Sequence, residues 1–92
     1  MSMIAPALSY WNQGATAGIQ VGAPGPRGFY GVISTITGGA VTVYDGTSTG
    51  GVILFSKSLT AGEVVHFGGL GMRAKNGLFL VVGAGAVNVI YS

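Results

Sequence analysis

A 92-residue chain that is 49% hydrophobic and only 7% charged has room for one small core and too little charge to cover it. Four basic and two acidic residues leave a formal charge of +2, dispersed rather than clustered, which argues against a nucleic-acid partner. The lack of cysteine excludes disulfides and thiolate metal sites, and so sparsely charged a surface favours a symmetric oligomer or a larger assembly.

From the N-terminus, Met1 to Arg27 holds all three prolines (Pro6, Pro24, Pro26), the adjacent Tyr10 and Trp11, and no sustained period of 2 or 3.6. This predicts an extended arm over residues 1–27, set apart from a folded domain over 28–92, with room for a short strand at Gly18 to Val21. No basic residue precedes the first apolar stretch, so no secretory signal is expected and synthesis in the cytoplasm is. Gly22-Ala-Pro-Gly-Pro-Arg-Gly28 reads as two collagen-like triplets, too few for a triple helix, and hence as a stiff linker.

From Gly28 onward turn signals arrive about every 8 to 12 residues, the spacing of an all-β sandwich or barrel. The expected strands begin with Phe29 to Ile36, closed by Gly38-Gly39. Val41 to Lys57 then carries a hairpin signature: Val41 to Tyr44, a turn opened by Asp45-Gly46 and closed by Gly50-Gly51, and Val52 to Phe55. Val52 to Phe55 is apolar on both faces, so in a two-layer sandwich one face needs a cover from the arm or a neighbouring subunit. Beyond the Thr60-Ala-Gly62 turn, Glu63 to Phe67 is a strand. Between Leu70 and Lys75 apolar residues alternate with Gly71, Arg73 and Lys75, placing both cations on one solvent-facing side. Asn76-Gly77 predicts a two-residue type I′ turn, and Gly83-Ala-Gly85 a further reversal, making the C-terminal third a three-stranded meander ending at Tyr91. The most apolar window, Leu78 to Tyr91, is about 14 residues long, short of the roughly 20 a membrane-spanning helix needs.

The chemical inventory is thin: Asp45, Glu63 and His66 beside the tyrosines and lysines. Glu63 and His66, three apart on a strand, point to opposite faces about 10 Å from one another and form no local dyad. Ser34 or Ser56 with His66 and Asp45 makes a paper triad without a nucleophile-elbow sequence. Gly69-Leu-Gly71-Met-Arg-Ala74 matches a dinucleotide-binding pattern but lacks the helix that pattern requires. One histidine and two carboxylates do not make a metal site within one chain, although a threefold axis would bring three copies of His66 together. No catalytic residue and no cofactor are expected. Candidate partner-binding residues are Tyr10 and Trp11, either as aromatic anchors for a partner or folded back to cover Val52 to Phe55 of their own chain, Val52 and Phe55 on the doubly apolar strand, and the cations Arg27, Arg73 and Lys75. Tyr30 and Tyr44, with the hydroxyls of Thr47, Ser48 and Thr49, are candidate sugar contacts.

At Val41 to Phe55, through Ser58-Leu-Thr-Ala-Gly62 and Gly71-Met-Arg-Ala-Lys-Asn-Gly-Leu-Phe-Leu-Val-Val82, to the Val87-Asn-Val-Ile-Tyr91 ending, the sequence resembles small structural proteins of tailed bacteriophages. These are head decoration (cement) proteins and related spike domains. The resemblance covers residues 28–91 and implies a compact, jelly-roll-like antiparallel β-sandwich that forms a homotrimer. It implies a virion protein on the capsid surface whose partner is the major capsid protein, with no enzymatic activity and no nucleic-acid or membrane partner. The other reading it leaves open is a receptor- or glycan-binding module of a tail or head spike.

Overall fold

A computed structural model describes residues 8–35, 39–67 and 71–92. Among the described residues the chain is all-β, with seven strands in one curled antiparallel sheet: β1 (Ser9–Val21), β2 (Arg27–Ser34), β3 (Gly39–Asp45), β4 (Val52–Leu59), β5 (Val64–His66), β6 (Met72–Ala74) and β7 (Leu78–Tyr91). The order is β4-β3-β7-β2-β5, with β1 on β7 and β6 on β2.

The axis of the sheet is β7. One edge of it pairs with β1 from Ser9↔Tyr91 to Val21↔Leu78. The other edge is shared: Leu78 to Val82 pairs with β3, and Val87 to Tyr91 with β2. Where an extended arm was expected, Ser9–Val21 is therefore a strand of the sheet. Its strand period is hidden in the sequence because β1 carries two register shifts, Gly14/Thr16 and Thr16/Ile19, which scramble its alternation. Residues 1–7 of the expected arm lie outside the described residues.

The expected reversal at Gly83-Ala-Gly85 does not occur, and β7 runs through it. Gly85 adopts φ 76, a left-handed conformation natural to glycine, and this irregularity shifts the side-chain phase by one residue. Leu78, Leu80 and Val82 face the core before it, and Val87 and Val89 after it. Each of these fully buried aliphatics is worth about 1.5–3 kcal/mol over an exposed one. The type I′ hairpin at Asn76-Gly77 is also absent, because β6 pairs with β2 while β7 pairs with β3. Among the described residues no non-glycine residue has positive φ, whereas that turn needs it at both positions.

The β3–β4 hairpin forms as expected, from Gly39↔Leu59 to Asp45↔Val52. One residue in it is extra: Val43 faces Phe55 and Tyr44 faces Ile53, so Leu54 is a bulge. Consecutive residues Leu54 and Phe55 thereby both pack against the core, and Val52 and Ile53 stay outside, 73% and 56% exposed. The doubly apolar strand is thus half absorbed by its own subunit.

The sheet curls until its end strands, β4 and β5, approach. Phe55 meets Phe67 edge-on at 5.7 Å between ring centroids, and both meet Phe29, at 5.8 and 5.2 Å. Lys57 pairs with Glu63 across the intervening turn. No strand pairing joins β4 to β5 among the described residues, so side chains hold that seam.

Candidate interaction surface

Strand register decides which side chains share an outer face. Val43 and Leu80 are buried, so Tyr44 and Phe79, their chain neighbours, point away from the core. Tyr44 lies opposite Ile53 on one side and Phe79 on the other, and Phe79 opposite Gln20. The result is a row, Ile53–Tyr44–Phe79, across three strands. The Phe79 ring lies over Gly18, occupying the space that a side chain there would need. Thr42 and Ser56 share a hydroxyl hydrogen bond at 3.3 Å on the same face.

The half of the sheet that carries β2 has a different outer face. Ile33 lies between Val64, 59% exposed, and Asn88. Asn88 in turn faces Asn12, whose Nδ2 donates to Asn88 Oδ1 at 2.8 Å. A neighbouring row runs from His66 across Gly31 and Ile90 to Tyr10, which is 69% exposed. Gly31 cannot be larger, since a Cβ there would sit 2.6 Å from the Val65 carbonyl oxygen.

The expected partner-binding residues are dispersed. Tyr10 points to solvent, while Trp11 packs against the core and meets Tyr91 edge-on at 6.4 Å. Neither covers Val52. Tyr10 is carried at the Ile90 end of β7, whereas Val52 is opposite Asp45, which pairs with Leu78 at the other end. Phe55 lies in the aromatic cluster of its own subunit. Arg27 is half-buried, its Nε donating to the Ala23 carbonyl at 2.8 Å and so closing the bend before β2. Arg73 and Lys75 are exposed on either side of buried Ala74, as the alternation predicts. Tyr30, a candidate sugar contact, is only 5% exposed, whereas Tyr44 is half-exposed.

The acidic residues are committed to the fold. Glu63 accepts from Lys57 and, through Oε1, from the Thr60 amide at 2.9 Å and the Thr60 hydroxyl at 3.3 Å. The Lys57 hydrogen bond first, then the Thr60 amide, hold its carboxyl below the ordinary value of 4.5. Asp45 binds the amides of Lys75 and Asn76 rather than its own turn. His66 is exposed on β5, and no three His, Asp or Glu side chains among the described residues are grouped to hold a metal ion.

Comparison with protein-family models, with curated proteins and with solved structures returns no match to this chain. Phe79, Val64, Ile33 and Asn12 were not singled out from the sequence. Each belongs to the outer surface through cross-strand register, which no local pattern encodes.

Proposed function

We propose that this chain is a non-enzymatic virion structural protein of a tailed bacteriophage, bound to the outer capsid surface and stabilising the head by bridging coat subunits. In this reading the two halves of the curled sheet are the layers of a jelly-roll-like sandwich, and the major capsid protein is the partner. The observation that carries the reading is the pairing of 7% charged residues with large apolar side chains left outside on separate strands: Tyr10 on β1, Val52 and Ile53 on β4, and Val64 on β5. Apolar groups spread over several edges suit a small protein wedged between larger subunits better than one closed pocket does. Quantitative mass spectrometry of purified virions tests it. Hundreds of copies per particle support decoration of the head, a handful point to a tail or spike component, and absence rejects both.

The Tyr44–Phe79 pair favours a second reading, a glycan-binding module. Two rings side by side on an outer sheet face, with the Thr42 and Ser56 hydroxyls on that face, offer a flat apolar platform with polar groups at hand. Glycan-array binding that disappears in Tyr44→Ala would support this reading, and a flat array would reject it.

A further inference from the structure

The outer edge of β1 is the longest unpaired strand edge among the described residues. Its 13 residues pair with β7 on one side only. Sheet proteins protect such edges with charges, prolines or bulges. Ser9–Val21 contains no charged residue and no proline, and its register shifts fall only after Gly14. Ser9 to Gly14 is therefore a regular, neutral edge whose outward backbone donors and acceptors pair with no strand among the described residues.

We infer that this edge is a self-association site, in which Tyr10 to Gly14 pairs antiparallel with the same segment of a second copy about a twofold axis at Asn12. The sequence is self-complementary in that register. Tyr10 falls opposite Gly14 of the second copy, Trp11 opposite its Gln13, and Asn12 opposite its Asn12. Tyr10 and Gly14 belong to one face, and both are exposed. Among the described residues beyond its chain neighbours, nothing lies nearer than 4.0 Å to the place where a Gly14 side chain would begin, leaving room for a tyrosine ring to cover that glycine. On the other face Trp11 already donates Nε1–H to Gln13 Oε1 at 3.1 Å, and a second copy presents the same pair reversed.

Asn12 supplies the centre. One of its amide hydrogens is used on Asn88, while its Oδ1 and remaining N–H have no partner among the described residues. Two asparagines meeting across a twofold axis exchange N–H···O bonds, extending the row into a four-amide ladder, Asn88–Asn12–Asn12–Asn88. A charged partner is disfavoured because the edge offers it no counter-charge. A second copy of a chain with formal charge +2 and neutral edge residues meets little repulsion. The pairing does not depend on the virion reading.

The chain has no cysteine, so a single introduced thiol reports cleanly. Directly opposed residues of an antiparallel pair lie about 4.5–5.5 Å apart at Cα, within disulfide range. The full-length Asn12→Cys protein is expected to form a disulfide-linked dimer under mild oxidation. It should do so at least about tenfold faster than Thr47→Cys, in an exposed turn, or Ser58→Cys, on β4. Light scattering of the unaltered protein should give a dimer or a multiple of it, and Asn12→Lys, which sets two ammonium groups face to face, should shift it toward monomer with an unchanged circular dichroism spectrum. Cross-linking at Asn12 no faster than at Thr47 overturns the proposal. So does a strict trimer, since three copies cannot each place Asn12 opposite another, or a monomer at millimolar concentration. If Asn12→Lys does not fold, the disulfide comparison still decides.

Discussion

The carboxylate of Asp45, at the end of β3, accepts the backbone amide of Asn76 at 2.8 Å, thirty-one positions further along the chain. It also takes the Lys75 amide, at 3.1 Å to each oxygen. With Gly46 donating to the Gly77 carbonyl and Gly25 to that of Asn76, two separate segments converge on the loop between β6 and β7. That loop passes from a strand held by β2 to a strand held by β3, so Asp45 ties the two halves of the sheet together.

Asp45→Ala should therefore destabilise more than a turn substitution does. Hydrogen bonds to a charged group contribute about 1.5–3 kcal/mol. A loss of about 2 kcal/mol lowers Tm by roughly 8–16 °C in a domain of this size. Asp45→Asn keeps one acceptor oxygen and should lose about half as much. Thermal unfolding followed by circular dichroism measures both, and a change below about 0.5 kcal/mol for Asp45→Ala would show that the staple is dispensable.

Gly83 and Gly85 separate a local from a conformational role. Gly85 is left-handed, so Gly85→Ala carries a backbone penalty of about 1–2 kcal/mol. Gly83 is exposed, and a Cβ there meets only ordinary contacts, the nearest at 3.4 Å to the Ala40 carbonyl oxygen. Gly83→Ala should be neutral or slightly stabilising. Urea titration of both variants tests the pair, and equal midpoints would contradict the assignment of the bulge to Gly85.

The bulge at Leu54 predicts opposite fates for neighbouring apolar residues. Phe55→Ala removes a ring from the Phe29–Phe55–Phe67 cluster and should cost about 2–4 kcal/mol in unfolding free energy. Val52→Ser should change it by less than about 0.5 kcal/mol, since that side chain is already in water. On the virion reading, Val52→Ser should instead weaken attachment to heads, as judged by co-sedimentation with capsids. Unimpaired attachment would remove Val52 from the docking surface.

The Lys57–Glu63 pair gives a pH dependence of known sign. Glu63 has its carboxyl pKa lowered in the folded chain, so its contribution is present above the ordinary value of 4.5 and is lost as pH falls through the lower folded value. The seam between β4 and β5 should loosen as pH falls through that lower value, with faster hydrogen exchange at the Thr60 amide that the carboxylate accepts. An NMR titration should place Glu63 below ordinary glutamates, and Lys57→Ala should move it back up. An unshifted Glu63 in the unaltered protein would show that the pair does not form in solution.

Much of the fold is legible in the residues. The β3–β4 hairpin, the turn at Thr60 to Gly62, and the outward cations Arg73 and Lys75 all follow from alternation and turn chemistry, because those signals are local. The misreadings share one cause. Asn76-Gly77 has the composition of a tight hairpin and Gly83-Ala-Gly85 that of a reversal, but each flanking strand is claimed by a partner distant in sequence. Of the candidate surface, Tyr10 and Val52 are exposed in this subunit, while Phe55 is drawn inward by a bulge that no pattern of hydrophobicity announces.

By itself the sequence determined an all-β chain rich in tight turns, poor in charge, and with more apolar surface than one small core absorbs. Those properties depend on residue type and near-neighbour spacing. Only the tertiary structure decided that Ser9–Val21 is a strand rather than an arm, and that β7 runs unbroken as the axis of a curled sheet. It also decided which apolar residues face water. A β-ladder joins residues far apart in the chain, and a single bulge moves every following side chain to the other face, so register had to come from the folded molecule.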